Sequence, residues 1–305
     1  MSTAKTQLND QDLWAYLVTV FGDKVRALVR IRGGEHSQAF AFTLGEREFI
    51  ARVNKADYGF KKDGYAAAYF SSTQLPIPEV LHLGRMGDQS FVCVTPRAKG
   101  RTLDDRLVVV SEALLHSVVK TLGAIHATPV KTGSRYGAFN EVGLATFPAW
   151  KAWLLAVESG KWDATCQTTC FERQVFDSLR AQIKQIAPVL PEHRHLVHGD
   201  FGMDNALCDG DAITAIIDWS LAKYGDPLYD VAWLNLWWTK VQFAEVYRQS
   251  DSLFAQDHDF DDRLRCYTAY TAIHSLGFFA ESGQVGKYEW LKTRLKAQNL
   301  VSLRA

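Results

Sequence analysis

The 305-residue sequence lacks an excess of charge of one sign, because 34 Lys and Arg residues balance 34 Asp and Glu residues. No overall electrostatic field draws such a chain to nucleic acid or to an anionic membrane, so a charged ligand must be attracted locally. The sequence also lacks an apolar run of the roughly 18 residues that a membrane span needs. Asp10 and Asp12 precede the first apolar run, which is not the pattern of a secretory signal. We therefore expect a cytoplasmic protein that binds neither nucleic acid nor membrane, and we expect it to be a monomer.

Cysteines are few and odd in number, which does not fit a disulfide framework and predicts a reduced protein. The five are scattered along the chain as Cys93, Cys166, Cys170, Cys208 and Cys266. Cys166 and Cys170 have the i,i+4 spacing of one helix face, but no second pair of cysteines accompanies them. The pattern therefore favours ordinary packing over a metal site.

Residues 24–97 alternate between short β-like runs and turn signals. The runs "KVRALVRI", "QAFAFTL", "REFIARV", "PEVLHLGR" and "SFVCVTPR" have the composition of strands, and turn signals at residues 33–34, 45–46 and 87–88 separate several of them. The segment 58–73 has helical spacing and ends before the prolines of "LPIP", which stop a helix. The sequence predicts a five-stranded antiparallel sheet with one helix between the third and fourth strands.

Beyond residue 98 the pattern becomes mostly helical. Ser111 is a suitable N-cap for the helical run "EALLHSVVKTLGAIHA". Residues 195–219 are an exception and predict two short strands around the turn "CDGD". Further helical periodicity is found in segments 146–160, 170–187, 227–250, 259–280 and 285–300.

These elements predict an α+β protein with the outline of a two-lobed protein kinase. Residues 1–97 would form an N-terminal nucleotide-binding lobe, with the five-stranded antiparallel sheet and its one helix. Residues 98–305 would form a larger, mostly helical C-terminal lobe for catalysis and substrate binding.

The stretch "HLVHGDFGMDNALC" concentrates polar side chains between two apolar runs. A kinase catalytic loop has an Asp that accepts the proton of the attacking hydroxyl and, five residues later, an Asn that holds magnesium. Asp200 and Asn205 have that separation, and the apolar run "AIIDWS" then delivers Asp218, where a second metal-binding carboxylate is expected. Singly, these residues also fit a turn residue, a strand-end cap and a solvated carboxylate. Their joint spacing favours phosphoryl transfer.

The run "HGDFGMDN…IIDWS…YGDPLYDVAW" resembles the aminoglycoside phosphotransferases, which are kinase-like antibiotic-resistance enzymes. The runs "GGEHSQAFAF", "RVNKADYGFKKD", "LPIPEVL", "RHLVHGDFG" and "ITAIIDWSLAKYGD" are similar to the hygromycin branch of that family. The resemblance implies ATP as the donor with Mg²⁺, Asp200 as the catalytic base, and Asn205 and Asp218 as metal ligands. It also implies that His198 helps to position the catalytic loop; the alternative is a hydrogen-bonded core histidine.

The nucleotide-binding segments depart from the usual kinase pattern. "RGGEHSQAF" has Gly33 and Gly34 but not the later glycines of G-x-G-x-x-G, so Ser37 and nearby backbone N–H groups are the candidates for phosphate contacts. An ordinary glycine hairpin is the alternative. "FIARVN" places Arg52 where a kinase has its third-strand Lys, and Asp63 is the nearest candidate for its acidic partner. The alternative is an exposed Arg and an unrelated Asp at a helix start.

The adenine contacts are expected at the end of the fifth predicted strand, in "FVCVTPRAKG". We predict that backbone groups of Thr95 and Arg97 pair with the adenine edge and that Val94 packs on its face. Pro96 has no backbone N–H to donate.

The segment after Asp218 indicates the size of the acceptor. Asp226 follows only eight positions later, whereas a protein kinase needs a much longer segment there to bind a peptide. A small-molecule acceptor is therefore expected. Asp226 with Pro227 reads as the start of a helix. The family resemblance implies that Asp230 braces the catalytic loop; the alternative is a solvent-facing carboxylate.

Features of the C-terminal part leave the substrate open. An acidic cluster suits a cationic aminoglycoside, but a solvated loop before a helix has the same composition. Asp204, inside the catalytic loop, is a further candidate for contact with an ammonium group. The acidic cluster comprises Asp251, Asp257, Asp259, Asp261 and Asp262. Aromatic residues that either line a sugar-binding cleft or pack in the core are Trp233, Trp237, Trp238 and Tyr267.

The sequence as a whole predicts an ATP- and Mg²⁺-dependent O-phosphotransferase acting on a hydroxyl of an aminoglycoside similar to hygromycin B. One alternative is a metabolite kinase for choline, homoserine or a glycated amine of the fructosamine type. Another is a catalytically silent nucleotide-binding scaffold. The altered glycine loop and Arg52 are compatible with the scaffold, whereas the Asp200, Asn205 and Asp218 set argues against it.

Overall fold

The computed structural model describes residues 9–31, 37–105, 108–130, 133–158 and 160–301. The first element is helix α1, Asp10–Phe21, which the sequence prediction did not include. Asn9 caps it, because the Asn9 side chain accepts a hydrogen bond from the Gln11 N–H at 3.0 Å. Its i,i+4 leucines, Leu13 and Leu17, are fully buried against the strands that follow.

The predicted five-stranded antiparallel sheet is confirmed. Its strands are β1 (Val25–Ile31), β2 (Gln38–Leu44), β3 (Arg47–Asn54), β4 (His82–Met86) and β5 (Ser90–Pro96), in the order β1-β2-β3-β5-β4. Gly45 and Gly87 have φ values of 62° and 59°, so two of the predicted turns need glycine for their left-handed backbone. β4 begins four residues later than predicted, because Pro78 lies in an extended segment outside the strand ladder.

Helix α2, Tyr58–Phe70, lies between β3 and β4 along the chain, as predicted. Phe60, Ala66 and Phe70 form most of its buried face. The same face also buries Lys62 and Asp63, which are charged. Buried charges require partners, so this helix carries more than a packing role.

The described residues form two compact units. The first is formed by the described residues within Met1–Ile125, Asn140–Gly143 and Met203–Leu221, and the second by those within His126–Phe139, Leu144–Gly202 and Ala222–Ala305. The division of function between residues 1–97 and 98–305 stays a prediction.

A second sheet lies within the first unit. Its strands are β6 (Arg101–Thr102), β10 (Ala206–Asp209) and β11 (Ala212–Ile216), in the order β11-β10-β6. β10 and β11 form the hairpin predicted around "CDGD", and Gly210 in its turn has a φ of 60°. The predicted helix after Ser111 is α3, Glu112–Ala127, and the Leu114 N–H donates to Ser111 Oγ at 3.0 Å, which confirms the cap.

The second unit contains a four-stranded sheet and most of the helices. The strands are β7 (Tyr136–Phe139), β8 (Ala145–Phe147), β9 (His195–Val197) and β12 (Lys223–Gly225), in the order β8-β7-β12-β9. The helices are α4 (Trp150–Leu155), α5 (Lys161–Thr168), α6 (Arg173–Ile186), α7 (Leu228–Trp237), α8 (Phe243–Arg248), α9 (Phe260–Glu281) and α10 (Val285–Ala297). The long helix α9 packs against α6, α7 and α10 and forms the centre of this unit.

Two predicted helices of this unit were wrong in extent. The span 227–250 is not one helix, because Trp238 leaves the helical conformation with a ψ of 79° between α7 and α8. The Trp238 and Phe243 rings stack across this break, with centroids 5.9 Å apart, so the apolar pattern continues although the helix does not. The span 146–160 begins in β8, and its helix α4 starts only at Trp150. None of the described helices is long and apolar enough to cross a membrane.

Candidate active site

The predicted catalytic loop begins where strand β9 ends. Gly199 has a φ of 79°, a left-handed conformation that glycine adopts without a steric cost. The turn delivers Asp200 to a half-buried position, and the Asp200 N–H donates to His198 Nδ1 at 3.3 Å. The His198 side chain is fully buried and hydrogen-bonds the loop's own backbone. This placement is consistent with the predicted positioning role of His198.

Asp230, on α7, braces this loop from inside the second unit. Its carboxylate accepts hydrogen bonds from the His198 N–H at 3.0 Å and the Gly199 N–H at 2.8 Å, and His126 Nε2 lies 3.2 Å away. Asp230 is completely buried, so the alternative of a solvent-facing carboxylate is wrong. Burial opposes its ionisation, but the hydrogen bond and charge of His126, with the charge of His198 and the Gly199 N–H, hold the pKa of Asp230 below its ordinary value. The loop is thus held by a buried anion.

The two predicted metal ligands lie at the same end of the β10–β11 hairpin in the first unit. The Ile217 N–H donates to the Asn205 carbonyl oxygen at 2.9 Å, which places the residue before Asp218 beside Asn205. Asp218 has a φ of 62°, and its Oδ1 accepts a hydrogen bond from the Ser220 N–H at 3.3 Å. A non-glycine residue in this region costs energy and is often found at functional sites.

The donor set of this hairpin end fits a hard divalent cation. An amide oxygen from Asn205 and a carboxylate from Asp218 are the ligand types that Mg²⁺ prefers, and Mg²⁺ usually takes one or two protein carboxylates plus substrate phosphate and water. Among the described residues, no three or more His, Cys, Asp and Glu side chains group together as a metal site. A cation held here would take phosphate oxygens and water as its further ligands, as Mg²⁺ usually does.

Arg52 on β3 and Asp63 on α2 form an ion pair, which confirms the predicted pairing. Both side chains are largely buried, at 15% and 8% exposure. Burial opposes the charge of Arg52, but the fields of Asp63, Cys93 and Asp218 outweigh it and raise the pKa of Arg52 above its ordinary value. The Arg52 guanidinium therefore stays positively charged at any physiological pH. That it contacts nucleotide phosphates stays a prediction.

Helix α2 also fixes the segment that follows Asp218, a link that the sequence reasoning missed. Asp63 Oδ1 accepts a hydrogen bond from the Trp219 N–H at 2.7 Å, so one carboxylate holds both Arg52 and this backbone. Lys62 Nζ donates to the Ser220 carbonyl oxygen at 2.7 Å. A charged pair on the otherwise apolar face of α2 was the available signal, because buried charges need partners.

The predicted adenine-binding residues lie at the end of β5 and just beyond it. Val94 and Thr95 are buried in the strand, and Arg97 is exposed. The Arg97 N–H donates to the Glu48 carbonyl oxygen at 3.0 Å. Because this N–H already has an acceptor, only the carbonyl group or the side chain of Arg97 would contact the adenine base. Ser37 is half-buried immediately before β2, and Gly33 and Gly34 lie outside the described residues.

A surface pocket of about 350 Å³ opens within the first unit. Arg97 is the one candidate nucleotide-binding residue that lines this pocket. We therefore do not assign the pocket to the nucleotide. Its lining residues are Ser71, Ser72, Pro76, Ile77, Pro78, Pro96, Arg97, Ala98, Thr214 and Ala215.

Asp226 combines the predicted helix cap with a buried ion pair that was not predicted. Its Oδ1 accepts a hydrogen bond from the N–H of Leu228, the first residue of α7, at 2.9 Å. Arg263 on α9 binds the same carboxylate through Nε at 2.8 Å and Nη2 at 2.7 Å. The Tyr267 hydroxyl donates to Asp226 Oδ2 at 2.5 Å. Arg263 and Asp226 are both fully buried, so this pair joins α7 to α9 inside the second unit.

Much of the acidic cluster has cationic partners within the chain. Arg263 Nη1 lies 2.5 Å from Asp257 and 3.3 Å from Asp259, and Arg248 pairs with Asp261. For these three of the five carboxylates, the contacts favour a structural role within the chain. They do not favour the binding of a cationic ligand.

The aromatic candidates divide into two groups. Trp238 and Tyr267 are buried in the core of the second unit. Trp233 and Trp237 are half-buried, with ring centroids 6.0 Å apart. A Cβ built on Gly202 would be 3.5 Å from Trp233 Nε1, so the Trp233 indole lies against the catalytic loop. Of the four aromatic candidates, Trp233 is thus the one that lies beside the loop carrying Asp200.

Comparisons with known proteins agree with this geometry. The model of the phosphotransferase enzyme family matches residues 27–263. The chain is 32% identical over 303 residues to a hygromycin-B 4-O-kinase of Escherichia coli, covering 96% of this chain and 86% of that protein.

Solved structures give the same result. A thermostable mutant of aminoglycoside phosphotransferase APH(4)-Ia, in ternary complex with AMP-PNP and hygromycin B, matches with a TM-score of 0.82 at 32% identity over 93% of this chain and 96% of that chain. Aminoglycoside 2'-phosphotransferase-IIIa, in a GDP complex, matches with a TM-score of 0.68 at 16% identity over 95% of this chain and 97% of that chain, a similarity of fold alone. The predicted kinase-like fold is confirmed.

Proposed function

The chain belongs to the phosphotransferase enzyme family, and from this membership we propose that it transfers the γ-phosphoryl group of ATP to a hydroxyl of an aminoglycoside similar to hygromycin B. The observation that supports the proposal is the Ile217–Asn205 backbone hydrogen bond, because Asn205 and Asp218, the proposed metal ligands, belong to one end of a single hairpin. The relative that acts on hygromycin B covers nearly the whole chain, which supports the substrate class.

In the proposed reaction Asp200 orients the acceptor hydroxyl and accepts its proton as the phosphoryl group is transferred. Asp230 and His198 keep the loop that carries Asp200 in place. Asn205 and Asp218 would hold magnesium, which when bound neutralises charge on the phosphates. Arg52 supplies a permanent positive charge for the nucleotide phosphates. Ser37, Val94, Thr95 and Arg97 remain the proposed contacts for the rest of the nucleotide.

The proposal is tested by incubating the purified protein with MgCl₂, ATP and separate acceptors, and by measuring ADP release and the mass of each acceptor. Hygromycin B is expected to gain the mass of one phosphoryl group. Choline, homoserine and a fructosamine serve as competing acceptors for the metabolite-kinase alternative. Turnover of one of these without turnover of any aminoglycoside would overturn the proposal. ATP binding without turnover of any acceptor would favour the scaffold alternative.

Whether the protein confers antibiotic resistance is a separate part of the proposal. Expression in a sensitive bacterial host is expected to raise the concentration of hygromycin B that stops growth, and an Asp200→Asn variant serves as the inactive control. The expected cytoplasmic location stays a prediction that cell fractionation would test.

Replacement of Asp63 by Asn is expected to weaken the binding of an ATP analogue by about tenfold, which corresponds to about 1.4 kcal/mol of binding free energy. The physical reason is that Arg52 loses its buried anion and the Trp219 backbone loses an acceptor. Isothermal titration calorimetry with Mg²⁺ and AMP-PNP measures the change.

The matched control is Asp57→Asn at the start of the same helix. Asp57 Oδ2 pairs with Lys61 Nζ at 2.8 Å, but the Lys61 and Asp57 side chains are 46% and 30% exposed, and such surface pairs contribute about 0–1 kcal/mol. The affinity of this variant for AMP-PNP should therefore match that of the wild type. Equal affinities for both variants and the wild type would contradict the role assigned to Asp63.

A further inference from the structure

Lys62 on α2 is a buried cation of the first unit to which the proposed mechanism gives no role. Its side chain is fully buried, although an ammonium group is among the most costly groups to remove from water. Nζ donates to the Ser220 carbonyl oxygen at 2.7 Å and lies 5.8 Å from the centroid of the Tyr58 ring, a cation–π distance. Ser220 is the second residue after Asp218. A buried charge is therefore bound to the segment that carries a proposed metal ligand.

The segment after the proposed metal ligand is a single 3₁₀ turn, Trp219–Leu221. So short a helix leaves its terminal N–H and C=O groups without partners of its own, and these groups must be satisfied from outside. Helix α2 supplies the partners from two neighbouring residues of opposite charge. Asp63 Oδ1 accepts the Trp219 N–H at 2.7 Å, and Lys62 Nζ donates to the Ser220 carbonyl oxygen. The turn is thus held by an anion at its first N–H and by a cation at a carbonyl group near its end.

Ser220 links Lys62 to the Asp218 carboxylate. The Ser220 N–H donates to Asp218 Oδ1 at 3.3 Å, while the carbonyl group of the same residue accepts from Lys62. The Asp218 backbone has a φ of 62°, a conformation that costs a non-glycine residue energy and persists only where its surroundings hold it. Loss of the Lys62 hydrogen bond would therefore loosen both the Asp218 backbone and the N–H that orients its carboxylate.

Apolar packing accounts for the position of Trp219 but not for the charge of Lys62. The Trp219 ring is fully buried, its centroid lies 6.1 Å from that of Phe70, and its Nε1 donates to the Ile216 carbonyl oxygen at 3.3 Å. These contacts need no cation. An aliphatic side chain at position 62 would fill similar space without the cost of desolvating a charge. The Ser220 carbonyl is the group that an ammonium satisfies and an aliphatic side chain does not.

We propose that Lys62 is a positioning residue for the magnesium-bound nucleotide: its hydrogen bond to the Ser220 carbonyl holds the turn after Asp218, so that the Asp218 carboxylate keeps the orientation in which it would bind the cation. In this role Lys62 acts through Ser220 and not by contact with the nucleotide. The inference rests on the proposed function, since it takes Asp218 as a metal ligand. Groups that orient a metal ligand typically contribute about ten- to a hundredfold to metal affinity or activity.

The binding test compares Lys62→Met, which removes the donor and the charge but keeps most of the side-chain length, with Lys62→Arg, which keeps both donor and charge. Isothermal titration calorimetry measures the affinity for AMP-PNP in Mg²⁺ and, separately, in EDTA. Lys62→Met is expected to weaken binding in Mg²⁺ by about tenfold and to leave binding in EDTA unchanged. Lys62→Arg should stay within a few-fold of the wild type in both. The matched control is Lys61→Met on the same helix, where the lysine is 46% exposed, and it should match the wild type in both conditions.

Hydrogen exchange reports on the turn without metal, nucleotide or activity. The amide hydrogens of Trp219 and Ser220 should exchange faster in Lys62→Met than in the wild type, and Lys61→Met should leave them unchanged. Mass spectrometry of the peptide that spans residues 216–221 measures the rate. The inference requires both results. Faster exchange with unchanged binding in Mg²⁺ would make Lys62 a structural residue only, and weaker binding with unchanged exchange would rule out the route through Ser220; either result overturns the proposal.

Urea unfolding first establishes that each variant is folded. If Lys62→Met does not fold, Lys62→Gln is measured in the same two ways, because its shorter side chain removes the charge but keeps a polar end group. The same losses are expected, and wild-type behaviour of Lys62→Gln would overturn the inference. If Mg²⁺ does not strengthen the binding of AMP-PNP to the wild type, the proposed magnesium site itself is refuted. If the wild type and Lys62→Met respond equally to Mg²⁺, the inference alone is refuted.

Discussion

Replacing Asp200 by Asn is expected to reduce kcat by about a hundred- to ten-thousand-fold, the range that general base catalysis contributes. Asn has nearly the same shape, so the loop should keep its conformation. It cannot accept the proton of the acceptor hydroxyl, and it presents an N–H₂ group where the hydroxyl should approach. Steady-state measurement of ADP release with hygromycin B gives the change in kcat.

Nucleotide affinity separates loss of chemistry from loss of binding. Arg52, Asn205 and Asp218 belong to the first unit, whereas Asp200 belongs to the second, so the variant should bind Mg²⁺ and AMP-PNP as the wild type does. The matched control is Asp204→Asn, an exposed carboxylate in the same loop, which should alter at most the KM for the acceptor. A kcat of Asp200→Asn within a few-fold of wild type would remove the basis for assigning Asp200 as the base.

The second large effect is expected on stability, from Asp226→Asn. The Asp226 carboxylate is fully buried and receives two N–H groups of Arg263, the Tyr267 hydroxyl and the Leu228 N–H. An Asn side chain offers one acceptor oxygen and points its N–H₂ group at a guanidinium that stays charged. Removal of one partner of a buried ion pair costs about 3–5 kcal/mol because the remaining charge is left uncompensated. Urea unfolding, with CD and fluorescence as independent probes, measures the loss.

Two controls distinguish this mechanism from general sensitivity to substitution. Asp261→Asn removes a carboxylate that pairs with Arg248 and is 85% exposed, so it should change the free energy of unfolding by no more than about 1 kcal/mol. The double variant Asp226→Leu with Arg263→Met removes both charges and should be more stable than either single variant, since no buried charge is then left alone. If Asp226→Asn and Asp261→Asn lowered the free energy of unfolding equally, the buried ion pair would not be the source of the destabilisation.

Local sequence patterns were sufficient for the five-stranded sheet and for the β10–β11 hairpin, but not for the strands of the four-stranded sheet. The β1–β5 strands alternate or concentrate apolar residues, and their turns carry glycines with left-handed φ at Gly45 and Gly87. Asp200, Asn205 and Asp218 could be proposed as site residues because their spacing follows from one loop and one hairpin, which are short-range structures. Their roles stay predictions. α1 could also have been found from the Asn9 cap and the i,i+4 spacing of Leu13 and Leu17.

Contacts between distant segments could not be predicted in this way. Asp226 and Arg263 are 37 residues apart, and nothing in either local pattern distinguishes a helix cap from half of a buried ion pair. The burial of Lys223, which is only 4% exposed, was equally hidden, because no local pattern in "KYGDP" marks a buried cation. The Trp238 break was missed since hydrophobic periodicity records which side chains are buried, not whether the backbone between them stays helical.

The segmented first unit has a consequence for synthesis of the protein. Its second sheet pairs β6, at residues 101–102, with β10, at residues 206–209, so that about a hundred residues must be translated between the two partners. Because a nascent chain leaves the ribosome from its N-terminus, β1 to β5 can form early, but the hairpin end with Asn205 and Asp218 cannot be in place until that later segment has emerged. A nascent chain halted shortly after residue 150 should therefore resist protease in the five-stranded sheet and should not yet bind Mg²⁺ and AMP-PNP.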